Sequence, residues 1–156
     1  MKIKIVLANT SKEFFDANVG VRQALATPEM ELLVVNLKRG PESVEGAYDD
    51  VFSAMGVVEQ VATAKEEGCD AVVIDCAMDP GLRAARELTD IPVVGAGEAS
   101  HLTAMMLCNK FSIVTVLPVT NKCLEDNIRK YGLEQRVASI RTAFVPVLDL
   151  GNEEVA

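Results

Sequence analysis

Several side chains in this sequence could serve as a nucleophile, a base or a hydrogen-bonding group. The sharpest is Cys76, which follows the apolar run Val72-Val73-Ile74 and precedes Asp79-Pro80. Aspartate then proline reads as a helix cap with proline in the first turn. A thiol beside a helix N-terminus has its thiolate stabilised by unpaired N–H groups, and it would serve as a nucleophile or a soft general base. The same position also suits a small hydrophobe on a core strand.

Asn9, Thr10 and Ser11 close the first apolar run and open a helical pattern. Their amide and hydroxyls could cradle a carboxylate or ureide, or simply cap the helix. Ala77 and Met78 extend the Cys76 segment as further candidate contacts. Gly95-Ala96-Gly97 resembles part of a dinucleotide-binding turn, but Ser100 stands where the third glycine belongs. Glu98 suits either a ligand or the first turn of the next helix. Ser112 and Thr115 put hydroxyls on an otherwise apolar strand, through ligand binding or strand propensity alone. Cys69 and Cys108 read as packing residues, and Cys123 opens a helix. The single histidine, His101, has no evident partner, and Met105 and Met106 read as core filling. With one histidine and no C-x-x-C spacing, neither a multi-histidine metal site nor a zinc or thioredoxin-type motif is expected.

These residues need elements to hold them. Apolar runs over residues 3–8, 31–36, 70–75, 91–94 and 111–117 read as strands, with weaker ones at 137–141 and 144–148. Helical patterns fill 11–26, 50–67, 99–107 and 121–131, and one more starts at Asp79. Within 50–67 the periodic positions are Val51, Met55, Val58, Val61, Ala62 and Lys65. Strand–helix alternation implies an α/β fold, a parallel-sheet lobe with flanking helices, followed by an incomplete second α/β lobe. The expected division is residues 1–97 and 98–156. Ligands of such sheets bind beyond the carboxyl ends of the strands, where the candidates above lie.

The 156 residues are 49% hydrophobic and 24% charged, which excludes disorder. A net charge of −8 without a basic run argues against nucleic acid and anionic membranes as partners. The N-terminus reads as a strand, not a signal peptide, and no apolar run would span a bilayer, so a reduced, cytoplasmic protein is expected. A small molecule is the expected partner. The uncovered edge of the second sheet points to homo-oligomers.

Taken together, the sequence resembles the hydantoin racemase branch of the aspartate/glutamate/hydantoin racemase superfamily. The resemblance is carried by Asp70-Ala71-Val72-Val73-Ile74-Asp75-Cys76, Asp79-Pro80-Gly81-Leu82, Pro92-Val93-Val94-Gly95, Glu98-Ala99 and Phe111-Ser112-Ile113-Val114-Thr115. Gly40-Pro41, Tyr48-Asp49 and Pro146-Val147-Leu148-Asp149-Leu150 add to it. It implies two lobes facing across a cleft and two cysteines flanking the substrate's α-carbon, with neither cofactor nor metal. One thiolate removes the α-proton and the other thiol returns one from the opposite face. Cys76 matches the first of these cysteines, and Asn9-Thr10-Ser11 the ligand end of strand one. Leu7-Ala8 replaces the family's Asn-Pro, and Ala77 stands where an aromatic is common. No cysteine here matches the second. The expectation is therefore a cofactor-independent racemase of hydantoins, allantoin or related amino-acid derivatives; the alternative is a truncated, non-catalytic homologue or fragment that binds a small carboxylate or ureide.

Overall fold

A computed structural model of the chain describes residues 1–150. Its first sheet contains β1 (Lys2–Leu7), β2 (Glu31–Asn36), β3 (Ala71–Asp75) and β4 (Val93–Gly95), parallel and in the order β2-β1-β3-β4. Its helices are α1 (Lys12–Gln23), α2 (Ala47–Ala64), α3 (Leu82–Leu88) and α4 (Ala96–Leu107). A second, two-stranded parallel sheet pairs β5 (Phe111–Thr115) with β6 (Val137–Thr142) across α5 (Thr120–Lys130). This is the α/β class expected from the alternation. The last six residues of the expected second lobe, 151–156, lie outside the described residues.

The sheet is apolar on both faces because helices cover both. Ile5, Leu7 and Val34 pack beneath Phe14, Phe15 and Val19 of α1. Val6, Ala8, Val72 and Ile74 pack against Val57, Val61 and Ala64 of α2 and Leu82 and Ala85 of α3. Lys4 occupies a core position on the second face, only 1% exposed. Its ammonium is satisfied there by the Gln60 carbonyl at 2.9 Å, Thr63 Oγ1 at 3.3 Å and Glu67 Oε2 at 2.8 Å.

Four local expectations need correction. Helix α2 starts earlier than its apolar pattern and buries Ser53, Gly56, Val57, Val61 and Ala64, while Val51 and Met55 face solvent. Ser53 bonds the Ala8 carbonyl at 2.7 Å, and a Cβ on Gly56 would run into the Arg39 carbonyl, so small residues hold α2 against the segments that follow β1 and β2. Residues 144–148 form no strand. Phe144 takes a left-handed φ of 62°, Pro146 has no N–H to donate, and a short 3-10 turn follows at Val147–Asp149. Met106 is 84% exposed and Cys108 is exposed, so neither fills a core. Finally, the helix expected from Asp79 begins only at Leu82, with Gly81 as its cap at a left-handed φ of 68°.

Candidate active site

The strand order places the reversal of chain direction across the sheet between β1 and β3. Ligands of open α/β sheets bind at such a switch point. Leu7 pairs with Asp75 in parallel register, so Ala8 and Cys76 follow at one level where the two strands diverge, with Asn9 one residue beyond. A cleft of about 250 Å³ opens there. Asn9, Asp75, Cys76, Ala77 and Met78 line it from the first sheet, Phe14 and Arg22 from α1, and Val114, Thr115, Thr120 and Leu124 from β5 and α5.

Cys76 is half-buried in the cleft wall. Its electrostatics differ from the expectation of a stabilised thiolate. Burial pushes the thiol up to about 12; a hydrogen bond from the Met78 backbone N–H opposes this, while Asp50, Asp79 and Asp75 add to it. The expected helix N-terminus is not beside it. Asp79 adopts a left-handed φ of 54°, and its buried carboxylate turns away from α3 toward the start of α4. There Oδ1 accepts the Gly97 N–H at 2.9 Å and Oδ2 the Glu98 N–H at 2.6 Å. Oδ2 also accepts the Tyr131 hydroxyl at 2.7 Å. The Gly95-Ala96-Gly97 turn thus receives a protein carboxylate. A Cβ on Gly97 would run into the Ala77 carbonyl oxygen and one on Gly95 into the Asp79 carboxylate, so both glycines serve close packing onto the Cys76 loop.

The other candidates divide. Asn9 lines the cleft; its Oδ1 accepts the Ser11 N–H at 3.1 Å, and its Nδ2 has no partner among the described residues. Thr10 and Ser11 do not line it. Thr10 Oγ1 donates to the Pro41 carbonyl at 3.1 Å, and Ser11 caps α1 by accepting the Phe14 N–H at 3.1 Å. Ala77 and Met78 do line it, Ala77 exposed and Met78 largely packed in the core. Glu98 faces away, paired with Arg86 beside Tyr131 and Lys130; the pair holds its carboxyl below the usual range.

Thr115 faces the cleft in a defined orientation. Thr120 Oγ1 donates to the Leu117 carbonyl at 2.6 Å, so in the 2.6 Å contact between the two threonines Thr115 is the donor. The Thr115 hydroxyl is left with lone pairs to offer a ligand, not a proton. Ser112 bonds with Ser139 at the exposed side of the second sheet. His101 is buried and stacked on Phe111, with its Nδ1 unpaired among the described residues. Cys69, Cys108 and Cys123 do not line the cleft. Burial raises the thiols of Cys69 and Cys123.

Sequence reading missed Arg22, Asp75, Phe14 and Thr120. Arg22 Nε donates to Asp75 Oδ2 at 2.8 Å across 53 residues of chain, a pairing that no local spacing signals. The one available cue was Asp75 itself, a charge on a buried parallel strand. Among the described residues, no cluster of three or more histidine, cysteine or acidic side chains could hold a metal, and no helix is long and apolar enough to cross a membrane.

Comparison with known proteins agrees with the architecture. The sequence is 43% identical over 156 residues to a hydantoin racemase of a Pseudomonas species, matching 100% of this chain and 63% of that one. It is 34% identical to a hydantoin racemase of Paenarthrobacter aurescens, matching 66% of that protein. The chain thus spans just under two thirds of the length of these relatives. Allantoin racemase from Klebsiella pneumoniae superposes with a TM-score of 0.91 at 37% identity, covering 99% of this chain and 66% of that one. A maleate isomerase from Pseudomonas putida, at 13% identity and a TM-score of 0.62, shares the fold. Residues 3–156 match the model of the family described as Asp/Glu/Hydantoin racemase, and the chain belongs to that family.

Proposed function

We propose that this chain carries the substrate cleft of a cofactor-independent racemase acting on hydantoins, allantoin or related amino-acid derivatives. Cys76 exchanges the proton of the substrate's α-carbon. The observation that carries this reading is Cys76 in the wall of a cleft at the switch point, which Asn9 and Thr115 also line. The α-carbon of such rings is a weak acid, and the adjacent carbonyl shares the charge that develops when its proton leaves. Asn9 Nδ2 is the side-chain donor suited to that oxygen. Thr115, with lone pairs only, suits a ring N–H. Proton NMR in heavy water tests the reading: an enantiopure hydantoin should lose its α-proton signal faster with the protein than without it, and unchanged exchange with both enantiomers across hydantoins and allantoin would remove the claim.

A second reading has its own support. A thiol held at about 12 is a proton-loaded group and a scarce base at neutral pH, and no second thiol lines the cleft among the described residues. On that reading the chain binds a small carboxylate or ureide without turnover. Heat released on titration with hydantoins and allantoin, together with no α-proton exchange in heavy water, would favour it.

A further inference from the structure

The cleft wall carries charge in one place. Arg22 and Asp75 are its charged side chains among the described residues; the rest of the wall is aliphatic, aromatic or neutral polar. Both are largely buried, with side-chain exposures of 23% and 27%. The guanidinium is fixed from two sides. Nε donates to Asp75 Oδ2 at 2.8 Å, and Nη1 donates to Asn18 Oδ1 at 2.7 Å. Asn18 is itself oriented by donating from Nδ2 to the Phe14 carbonyl at 2.8 Å. The Nη2 donors have no partner among the described residues. A planar cation held this way loses little further side-chain freedom when it binds an acceptor.

Its location separates it from the groups that would hold the ring. Asp75 pairs with Leu7, and Leu7 packs on the α1 side of the sheet. Cys76, the next residue, packs against the cluster on the α2 side. Thr115 and Thr120 belong to the second sheet and its helix. A ring seated against Cys76 and Thr115 therefore reaches Arg22 through a group that projects toward α1.

We propose that Arg22, held by Asp75 and Asn18, is a specificity-determining residue whose Nη2 donors bind a carbonyl or carboxylate oxygen on the substituent of the ring's α-carbon, so that the cleft selects acceptor-bearing substituents over alkyl ones. This rests on the racemase reading of the cleft. A site with committed, partly desolvated donors rejects a ligand that leaves them unpaired more strongly than an apolar pocket rejects a change of size.

The test is isothermal titration of the chain with three hydantoins that differ only in this substituent: carboxymethyl, carbamoylmethyl and isobutyl. The two acceptor-bearing ligands should bind at least about tenfold more tightly than the isobutyl one. Arg22→Gln should erase that ratio, and Arg22→Lys should keep part of it for carboxymethyl. A large advantage of carboxymethyl over carbamoylmethyl marks recognition of charge; near equality marks recognition of a neutral ureide-type carbonyl. Equal or tighter binding of isobutyl by the unaltered chain overturns the proposal without any variant. So does a ratio that survives Arg22→Gln in a protein of unchanged circular dichroism. If none of the three binds, the racemase reading fails and this inference falls with it.

Discussion

Tyr131 donates its phenol hydrogen to Asp79 Oδ2 at 2.7 Å, joining the end of α5 to the loop that carries Cys76. A second bond reinforces this joint, from Asn127 Nδ2 to the Met78 carbonyl at 2.8 Å. The same Asp79 carboxylate caps α4, so the cleft's two sides and the glycine turn meet on one buried group. Asp79→Ala should cost about 3 kcal/mol, because it strands two helix N–H groups and a phenol. Tyr131→Phe should cost about 1 kcal/mol. Urea denaturation monitored by circular dichroism measures both, and equal losses for the two variants would deny Asp79 its capping role.

Gly97→Ala places a methyl group against the Ala77 carbonyl and the Asp79 carboxylate. Backbone cannot give way as a flexible side chain can, so the substitution should destabilise by about 2–4 kcal/mol. Gly68→Ala is a control of another kind: its added Cβ meets nothing, but its left-handed φ of 76° still costs about 1 kcal/mol. Thermal unfolding should rank the two in that order.

The strands and the position of Cys76 were legible because buried parallel strands are continuous apolar runs, and Val72-Val73-Ile74 ends in only one place. The capping partner of Asp79 was not. Its choice of α4 over α3 depends on left-handed backbone at Asp79 and Gly81, which no periodicity encodes. The buried face of α2 is hidden from periodicity because Val51 and Met55 are more apolar than Ser53 and Gly56, yet Ser53 bonds the Ala8 carbonyl and Gly56 sits where a Cβ would run into the Arg39 carbonyl. Arg22 and Asp75 meet through tertiary structure alone. Glu98 suits a ligand or the first turn of a helix on sequence alone; in the structure it lies in the first turn of α4, paired with Arg86.

A thiol raised from 9.0 to about 12 stays protonated through the alkaline range. Alkylation of Cys76 by iodoacetamide, followed by peptide mass spectrometry, should rise about tenfold per pH unit without levelling near 9, since only the thiolate reacts. A plateau near 9 would contradict the burial argument. The raised value also links to stability. Keeping this proton favours the folded state fully below about 9, and the contribution is lost as pH climbs toward about 12. Cys76→Ala should flatten that alkaline loss.

On the acid side, hydrogen bonds from Lys4 and Thr63 hold the Glu67 carboxyl below its usual 4.5. Its contribution is present above that value and is lost as pH falls through the folded one. Glu67→Gln should cost about 1 kcal/mol at neutral pH, a figure reduced because the carboxylate is partly exposed. It should also remove Glu67's share of the acid-side decline. Denaturation curves at neutral pH and near pH 4 test the sign, and a variant that gains stability at neutral pH would contradict it.

In the proposed function the Cys76 sulfur moves the proton of the substrate's α-carbon. Proton NMR in heavy water follows that proton, with each pure enantiomer of a hydantoin incubated with the protein and with Cys76→Ser. With a single thiol in the cleft wall among the described residues, one enantiomer should lose its α-proton signal faster than the other, and faster than it inverts. The serine variant should lose this catalysis. Exchange that is equally fast with Cys76→Ser, or no exchange above background with either enantiomer, would rule out this role for Cys76.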